Sequence, residues 1–483
     1  MYKLILSFIS VLISVYSFGQ NIIGNWEGSL QIQGTEMPIV FHIDKDITGK
    51  YIATFDSPKQ KAFNIACGDV VLKQDSLIMM MPIIKGSYAG KLDENKKQLT
   101  GTWKQGAGSL SLNLKKTSDV ATTKTLNRPQ TPKPPFSYKS EDVEYDNADK
   151  SIHFGATFTV PLPDPNVNYF RAPIYPTVIL ITGSGKQDRD ETILGHKAFA
   201  VMADYLTRHG IAVLRVDDRD IGKTTGNFST STSADFAKDV EAGIAYLKNR
   251  ADVDTANIGL IGHSEGGLIA PMVAAKRKDV QFIVLLAGPG IAVLNLMEQQ
   301  SADVMASAGI LKTDIDLYRP LYKNMVTAIL NAKDTTAAAK KAVAVFKQWQ
   351  LVTPALTVKN TTGVEDEKGI TDFTKAFIKQ LSNPWSNYFM RVNPADYLTK
   401  INCPVLALNG EKDIQVAAKP NLAGIKNALQ KNEHVTVTEM PGLNHLFQHC
   451  KKCTVEEYGE LEETFDPATL KIIADWILAE RFK

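Results

Sequence analysis

A short stretch near the middle of the chain, IGLIGHSEGGLIAPM at residues 258–272, constrains the fold more than any other feature. Apolar and small residues lead into GHSEG, and a helix-like run of small residues follows. A serine at a sharp strand-to-helix turn is exposed, and the first N–H groups of the helix point toward it. Such a turn is strained, and Gly262 and Gly266 remove the bulk that would prevent it. Although the motif alone can arise by chance, this context predicts that Ser264 is a nucleophile.

The chain around this turn alternates between apolar strands and amphipathic helices. The strand-like runs are PTVILITGSG, IAVLRVDDRDIG, NIGLIGHSEGG, FIVLLAGPG, CPVLALNGEKD and VTVTEMPGLNH, and the clearest helix-like runs are HKAFAVMADYLTRHG and SADFAKDVEAGIAYLKNR. This alternation predicts an α/β fold with a mostly parallel, doubly wound sheet. Residues from about 291 to 400 interrupt the pattern with helix-rich sequence, which we expect to form an inserted cap.

The N-terminal part of the chain has a different pattern, and 483 residues exceed the size of one ordinary domain. Residues 21–117 contain short β-type runs bounded by Gly, Asp, Asn and Lys, which predict a small all-β barrel or sandwich. We expect GNWEGSLQI and LTGTWKQG to pair and close it. Residues 118–136 carry four prolines, which favour an extended linker. The remaining residues, 137–483, form the mixed α/β domain.

The first twenty residues have the pattern of a secretory signal peptide. Lys3 precedes an apolar run at residues 4–18, which is short for a membrane span, and Gly19 offers a small residue near a cleavage point. We therefore expect a secreted or periplasmic protein with no membrane span after cleavage, with an uncleaved anchor as the alternative. The 54 basic and 52 acidic residues nearly balance, which argues against a nucleic-acid partner.

The four cysteines are too few to build a secreted fold from disulfides. Cys67 and Cys403 lie in strand-like runs and are expected to be small buried residues. Cys450 and Cys453 form a C-x-x-C without a second pair or a following histidine, which disfavours zinc and haem. A local disulfide and two free thiols both remain open for this pair.

A serine nucleophile needs a histidine base and a carboxylate to orient it. In a doubly wound sheet, both belong on loops beyond the carboxyl ends of strands. Asp413 follows the strand-like run VLALNGEKD and His445 follows VTVTEMPGLNH, so each meets this requirement. Glu411 and His449 are the competing carboxylate and base, and His445 is preferred because it is nearer to its strand.

The order Ser264, Asp413, His445 resembles that of the α/β-hydrolase superfamily, over roughly residues 137–483. Within it the chain is similar to secreted bacterial serine hydrolases grouped with the serine aminopeptidase and dienelactone-hydrolase-like branches. Because the fold and residue order are those of acyl-transfer enzymes, the resemblance implies a serine hydrolase that needs neither metal nor organic cofactor.

The same resemblance implies where the oxyanion is bound. One donor is the N–H of Glu265, and the other is the N–H of Ser184 or Gly185, in the segment that falls where the family has a His-Gly loop. Thr182 stands in place of the usual histidine. The segment DRDIG at residues 218–222 matches the family's Asp-x-Arg-Gly-x-Gly region only loosely and is expected to tie loops together.

The segment GKQDRDE, at residues 185–191, is unusually charged and is expected to border the active site. Gln187, Asp188 and Arg189 are candidates for substrate contact, with an ion-paired loop as the alternative. Trp385, in an aromatic cluster of the predicted cap, is a further candidate, with ordinary core packing as its alternative.

Three functions are consistent with these features. The first is an esterase acting on a small-molecule ester. The second is a peptidase of the aminopeptidase or prolyl-oligopeptidase kind, acting on short peptides. The acidic residues that could bind the substrate's free N-terminus are Glu265, Asp188, Asp190 and Glu191. The third is a non-catalytic protein whose β domain binds a ligand. No oligomeric state is predicted.

Overall fold

The computed structural model describes two compact units, Met1–Thr125 and Leu126–Lys483. The described residues are 22–480 except 33–34, 46–49, 61, 82–83, 85, 96, 106–107, 118–126, 168–169 and 171. The predicted signal peptide at residues 1–20 and residues 118–126 of the predicted linker lie outside the described residues. Among the residues that are described, no helix combines the length and the hydropathy of a membrane span.

The first unit is an antiparallel β-sheet, which confirms the predicted small all-β domain. Its strands are β1 (Gly24–Ile32), β2 (Thr35–Lys45), β3 (Tyr51–Ser57), β4 (Ala62–Ala66), β5 (Val70–Lys73), β6 (Ser76–Met81), β7 (Gly86–Leu92), β8 (Gln98–Gln105) and β9 (Gly108–Lys116). They lie in the order β4-β3-β2-β1-β9-β8-β7-β6-β5. The expected pairing of β1 with β8 is wrong, because β9 forms a hairpin with β8 and lies between them.

This sheet buries one face around a single aromatic core. Phe41, Phe55, Tyr88 and Trp103 are all buried, and the Phe55 and Trp103 rings meet edge to face at 5.7 Å. Alternate residues of a strand share a face, and the buried residues Ile39, Phe41 and Ile43 of β2 follow this spacing. The segment after β4 hydrogen-bonds to both β3 and β6, and the sheet therefore curves toward closure.

The second unit is built on an eight-stranded sheet. Its strands are β10 (Tyr138–Asp146), β11 (His153–Pro161), β12 (Tyr175–Ile181), β15 (Ala212–Val216), β16 (Val253–His263), β17 (Phe282–Leu286), β18 (Val405–Gly410) and β19 (Val435–Met440), while β13 (Thr192–Ile193) and β14 (His196–Lys197) pair separately. The order is β10-β11-β15-β12-β16-β17-β18-β19. The neighbours from β15 to β19 in this order are parallel, which confirms the predicted sheet.

Helices cover both faces of the sheet. They are α1 (Ala198–Arg208), α2 (Ser233–Leu247), α3 (Gly266–Ala274), α4 (Val293–Ser307), α5 (Lys312–Leu330), α6 (Thr335–Leu351), α7 (Ala355–Thr362), α8 (Glu367–Leu381), α9 (Pro384–Phe389), α10 (Ala395–Leu398), α11 (Ala418–Ala428) and α12 (Pro467–Glu480). Helices α1 and α12 pack on one face, and α2, α3 and α11 pack on the other. The strands are therefore buried on both sides, as their continuous apolar sequence predicts.

Helices α4 to α10 lie between β17 and β18, in the part of the chain where we expect a cap. Asp334 and Asp366 begin α6 and α8 by accepting N–H groups of the first turn, a typical N-cap interaction. Phe346 on α6 packs edge to face on Phe373 of α8 at 5.4 Å. The buried residues of the insertion are continuous with the core on the α2 side of the sheet.

The second half of the predicted linker contacts the mixed unit. Arg128 donates to the carbonyl oxygens of Gly459 at 2.8 Å and Leu194 at 3.1 Å. The Gln130 side chain donates to Phe465 O at 2.6 Å and accepts from Thr464 N–H at 2.6 Å. These bonds fix the segment that leads into β10.

Candidate active site

The nucleophile turn joins β16 to α3. Ser264 has φ of +52°, a left-handed conformation that a non-glycine residue adopts only at some cost. A Cβ atom at Gly262 would lie 2.0 Å from Gly266 O, and one at Gly266 would lie 2.1 Å from Ile181 O. Both positions thus exclude any side chain. The glycines that flank Ser264 allow the close backbone approach that makes this turn possible.

The predicted base and carboxylate meet at the carboxyl ends of β18 and β19. His445 Nδ1 lies 2.8 Å from Asp413 Oδ2, and the two residues are only 4% and 5% exposed. The other Asp413 oxygen accepts the N–H groups of Gln415 and Val416, both at 2.8 Å. Because a carboxylate faces Nδ1, the proton is assigned to Nδ1, and Nε2 is left free to act as a base.

The competing residues have other partners. His449 is 62% exposed at its side chain, and its Nδ1 lies 3.0 Å from Glu463 Oε2. Glu411 is exposed, contacts Lys412 at 3.2 Å and accepts the N–H of Gly442 at 3.0 Å. The structure therefore joins Asp413 to His445 and leaves both alternatives at the surface.

Among the described residues, His449, Glu463 and Asp466 form the group whose donor atoms lie close enough together to hold a metal ion. Asp466 caps α12 by accepting the N–H groups of Ala468 and Thr469. Since Glu463 is also bonded to His449, the three side chains have structural partners that explain their positions.

The loop after β12 passes next to the nucleophile. A Cβ atom at Gly183 would lie 3.2 Å from Ser264 Cβ. The Gly183 N–H donates to Glu191 Oε1 at 2.7 Å and is not free for an oxyanion. Within the described parts of the chain, no protein group accepts the N–H of Ser184, Gly185 or Glu265. The resemblance assigns the oxyanion to two of these three groups, the N–H of Glu265 and that of either Ser184 or Gly185.

Most of the charged loop contacts the protein itself. Arg189 bonds Asp217 at 2.6 Å and Asp142 at 3.0 Å, and its side chain is 18% exposed. Asp188 accepts from the N–H and hydroxyl of Thr192 at 3.0 and 2.7 Å. The Gln187 N–H donates to Asp218, and its side chain is half-buried.

The cap reaches the nucleophile turn through Trp385. Its Nε1 donates to Glu265 Oε1 at 2.7 Å, and the same oxygen accepts the Ser233 hydroxyl at 2.6 Å. Trp385 also stacks on Phe389 with the ring centroids 4.9 Å apart. Burial raises the pKa of Glu265 to about 7, and burial likewise raises the pKa of Asp218 to about 7.

A cavity of about 60 Å³ lies beside the oxyanion loop, between the sheet and α2. Phe154, Ile179, Phe236 and Ile269 give it apolar walls, while Asp218, Asp239 and Glu265 add carboxyl groups. It borders Gly183, Gly185 and Glu265, whereas Ser264 and His445 lie outside its lining. The cavity is therefore next to the oxyanion loop and does not itself contain the reacting groups.

The structure also shows one residue near the site, His263, that sequence reasoning missed. His263 lies between Glu191 and the backbone of His445, with one ring nitrogen on each. Those contacts join residues 72 and 182 positions apart in the chain, so no local pattern could have revealed them. The one available signal is a histidine directly before the nucleophile.

The loop that follows His445 is closed by a disulfide between Cys450 and Cys453, which settles the alternative left open by the sequence. The Glu457 carboxylate accepts the N–H groups of residues 451–453. Cys67 and Cys403 are free thiols, and burial raises their pKa to about 11 and about 12.

Replacing Glu265 by glutamine should flatten the pH dependence of stability. A carboxyl group whose pKa is higher folded than unfolded binds its proton more tightly in the folded state. Stability therefore falls as pH rises from about 4.3, the unfolded value, to about 7, and is level above that. Between about pH 5 and pH 7, the melting temperature of Glu265→Gln should therefore fall less than that of wild type.

Glu433→Gln removes the same charge from an exposed position and is the matched control. Its melting temperature should depend on pH in the same way as that of wild type. Asp218 still titrates in both variants, so some dependence remains in each. If the melting temperatures of Glu265→Gln and wild type changed equally with pH, Glu265 would not be the buried, proton-binding group described above.

Comparison with known proteins identifies one family profile and one named relative that match parts of this chain. The profile of a family described as serine aminopeptidase, S33, matches residues 196–361, a range that includes Ser264 but ends before Asp413 and His445. Esterase EstD from Thermotoga maritima is 25% identical over 306 residues, which cover 63% of this chain. The match spans 62% of EstD, less than two thirds of its length.

Two solved structures are also similar to the chain. The Pyrococcus furiosus esterase Pf2001 has 16% sequence identity and a TM-score of 0.41, covering 73% of this chain and 97% of its own. Est1E from Butyrivibrio proteoclasticus, with ferulic acid bound, has 17% identity and a TM-score of 0.39, covering 71% of this chain and 100% of its own.

Proposed function

We propose that this chain, a member of the α/β-hydrolase superfamily, is a serine hydrolase that cleaves carboxylic esters. The observation that supports it most is the buried 2.8 Å contact between His445 and Asp413 on loops that follow β18 and β19. Ser264 lies after β16, which is parallel to those strands and ends at the same edge of the sheet. The three residues required for acyl transfer thus come from one edge of the sheet.

In this mechanism His445 Nε2 takes the proton of Ser264 Oγ, and the oxygen attacks the ester carbonyl carbon. The N–H of Glu265, together with that of Ser184 or Gly185, holds the oxyanion. Loss of one such donor typically costs about 10²–10³ in rate. His445 then protonates the leaving alcohol while Asp413 stabilises the imidazolium. A water molecule, deprotonated by the same histidine, attacks the acyl-enzyme and releases the acid.

The alternative is a peptidase, and it is favoured by the match to the serine aminopeptidase family. Such an enzyme would need a free carboxylate to bind the ammonium group of its substrate. The acidic residues considered for this role have protein partners instead. Asp190 pairs with Lys197 at 3.2 Å, and Glu191 is 1% exposed. Glu265 accepts from Ser233 and Trp385. These contacts, and the name of EstD, support the esterase.

A paired assay tests the choice between ester and peptide. A purified protein comprising residues 21–483 would be assayed for hydrolysis of a series of p-nitrophenyl acyl esters and, separately, of a series of aminoacyl p-nitroanilides. We expect rapid ester hydrolysis, a clear optimum in acyl-chain length and no turnover of the anilides. Because activated esters are easy substrates, anilide turnover at a comparable rate would favour the peptidase. Absence of turnover in both series would overturn the proposed hydrolase.

A further inference from the structure

The last residue of the charged loop, Glu191, is buried at a junction between catalytic segments. It is 1% exposed and has φ of +48°, although it is not a glycine. Its Oε1 accepts the N–H of Gly183 at 2.7 Å, in the loop that passes beside Ser264. The same oxygen lies 2.9 Å from His263 Nδ1, on the residue directly before the nucleophile. One carboxylate oxygen therefore links the oxyanion loop to the nucleophile turn.

His263 extends this link to the catalytic base. Its Nε2 lies 3.0 Å from the carbonyl oxygen of His445, and the two imidazole rings are 4.9 Å apart. His263 is 5% exposed, so both ring nitrogens face protein groups and not bulk water. The chain of contacts from Gly183 through Glu191 and His263 to His445 thus joins all three catalytic segments.

The hydrogen-bond partners of His263, together with the neighbouring carboxylate of Glu191, favour the charged form of this histidine. A carbonyl oxygen can only accept, so His263 Nε2 carries a hydrogen. Nδ1 faces the oxygen that already accepts the Gly183 N–H, and a hydrogen on Nδ1 completes a pair of imidazolium and carboxylate. Burial alone would lower the pKa of His263, but the charge and hydrogen bond of Glu191 outweigh it and hold the pKa above its ordinary value.

We propose that Glu191 and His263 are positioning residues of the hydrolase, a role that rests on the proposed function. Glu191 holds the oxyanion loop at a fixed distance from the nucleophile turn. His263 holds the backbone of His445 beside that turn. Both residues are buried and lie outside the proposed triad, so they act through the segments that they hold. By occupying the Gly183 N–H, Glu191 also directs the oxyanion to the N–H of Glu265 and to that of Ser184 or Gly185.

Two changes at Glu191 separate its contacts. Alanine removes the acceptor for both Gly183 and His263. The amide oxygen of glutamine can still accept the Gly183 N–H, but glutamine lacks the charge that holds His263 as a cation. A neutral imidazole has a single N–H and cannot donate to both neighbours. Asp220→Asn is the control, because Asp220 is an exposed acid of the neighbouring loop that pairs with Lys186.

The experiment measures kcat and KM for the best p-nitrophenyl ester, and titrates Ser264 with a fluorophosphonate that labels active serine hydrolases. We expect kcat per labelled site to fall about 100-fold in Glu191→Ala and about 10-fold in Glu191→Gln, with KM within about threefold of wild type. The labelled fraction should stay constant while labelling slows. Asp220→Asn should match wild type.

Unchanged kcat per labelled site in the alanine variant would overturn the proposal, even if the labelled fraction falls, since the role would then be in folding alone. An equally slow Asp220→Asn would also overturn it, because the effect would then come from charge in general. If alanine prevents folding, the glutamine variant decides by the same readouts. A wild-type protein that neither hydrolyses nor labels would instead overturn the proposed function itself, and the positioning role with it.

Discussion

Replacing Ser264 by alanine will lower kcat for ester hydrolysis by about 10⁴–10⁶-fold, the range seen when a member of a catalytic triad is removed. The alanine has no oxygen to attack the carbonyl. The fold will be unchanged, because serine and alanine have similar difficulty with a φ of +52° and the flanking glycines remain. Circular dichroism and the melting temperature should therefore match wild type.

The control for this change is Ser307→Ala, which removes an exposed hydroxyl from the end of α4. It should keep wild-type kcat. Ligand binding offers a second check. Because Ser264→Ala retains the oxyanion loop and the cap, it should bind the acid product of ester hydrolysis with wild-type affinity. Turnover by Ser264→Ala within about tenfold of wild type would show that another residue is the nucleophile.

Much of the mixed unit is predictable because its signals are local. A buried parallel strand is a continuous apolar run, and the helices between strands have their own caps and periodicity. The turn at Ser264 is visible because the two close approaches that it makes exclude every side chain at Gly262 and Gly266. Asp413 and His445 could be chosen because each comes directly after such a run.

Pairing within the all-β unit is less accessible to this reasoning. β1 carries Trp26 and β8 carries Trp103, and both residues point into the same core. The expectation that they pair comes from their positions near the two ends of the domain. Pairing is decided by hairpin formation and long-range hydrogen bonds, and β9 takes the place beside β1. Sequence periodicity defines the buried face of a strand but not its neighbour.

The charged loop shows why the contacts of a charged side chain cannot be predicted from the local sequence. Its position directly after the strand that leads into the oxyanion loop predicts that it borders the active site, and Glu191 does lie against the nucleophile turn. Whether a charge faces substrate or protein depends on groups that arrive from elsewhere, such as Asp217 for Arg189 and His263 for Glu191. The same is true of Glu265, which receives Trp385 from 120 positions further along the chain.

Replacing His445 by alanine will lower kcat about as much as replacing Ser264, by about 10⁴–10⁶-fold, because the members of a triad act as a unit. Asp413→Asn should cost about 10⁴-fold, since an asparagine in place of the carboxylate favours the wrong tautomer of the base. KM should change little in both variants. The measurement is steady-state turnover of the best ester, normalised to folded protein.

His449→Ala is the decisive control, because His449 is the other histidine of the same loop. Its imidazole is 62% exposed and pairs with Glu463, so its loss should leave kcat within about threefold of wild type. A severe effect of His449→Ala combined with a mild effect of His445→Ala would reverse the assignment of the base. The contact between Asp413 and His445 would then be structural, with Asp413 held in place by the N–H groups of Gln415 and Val416.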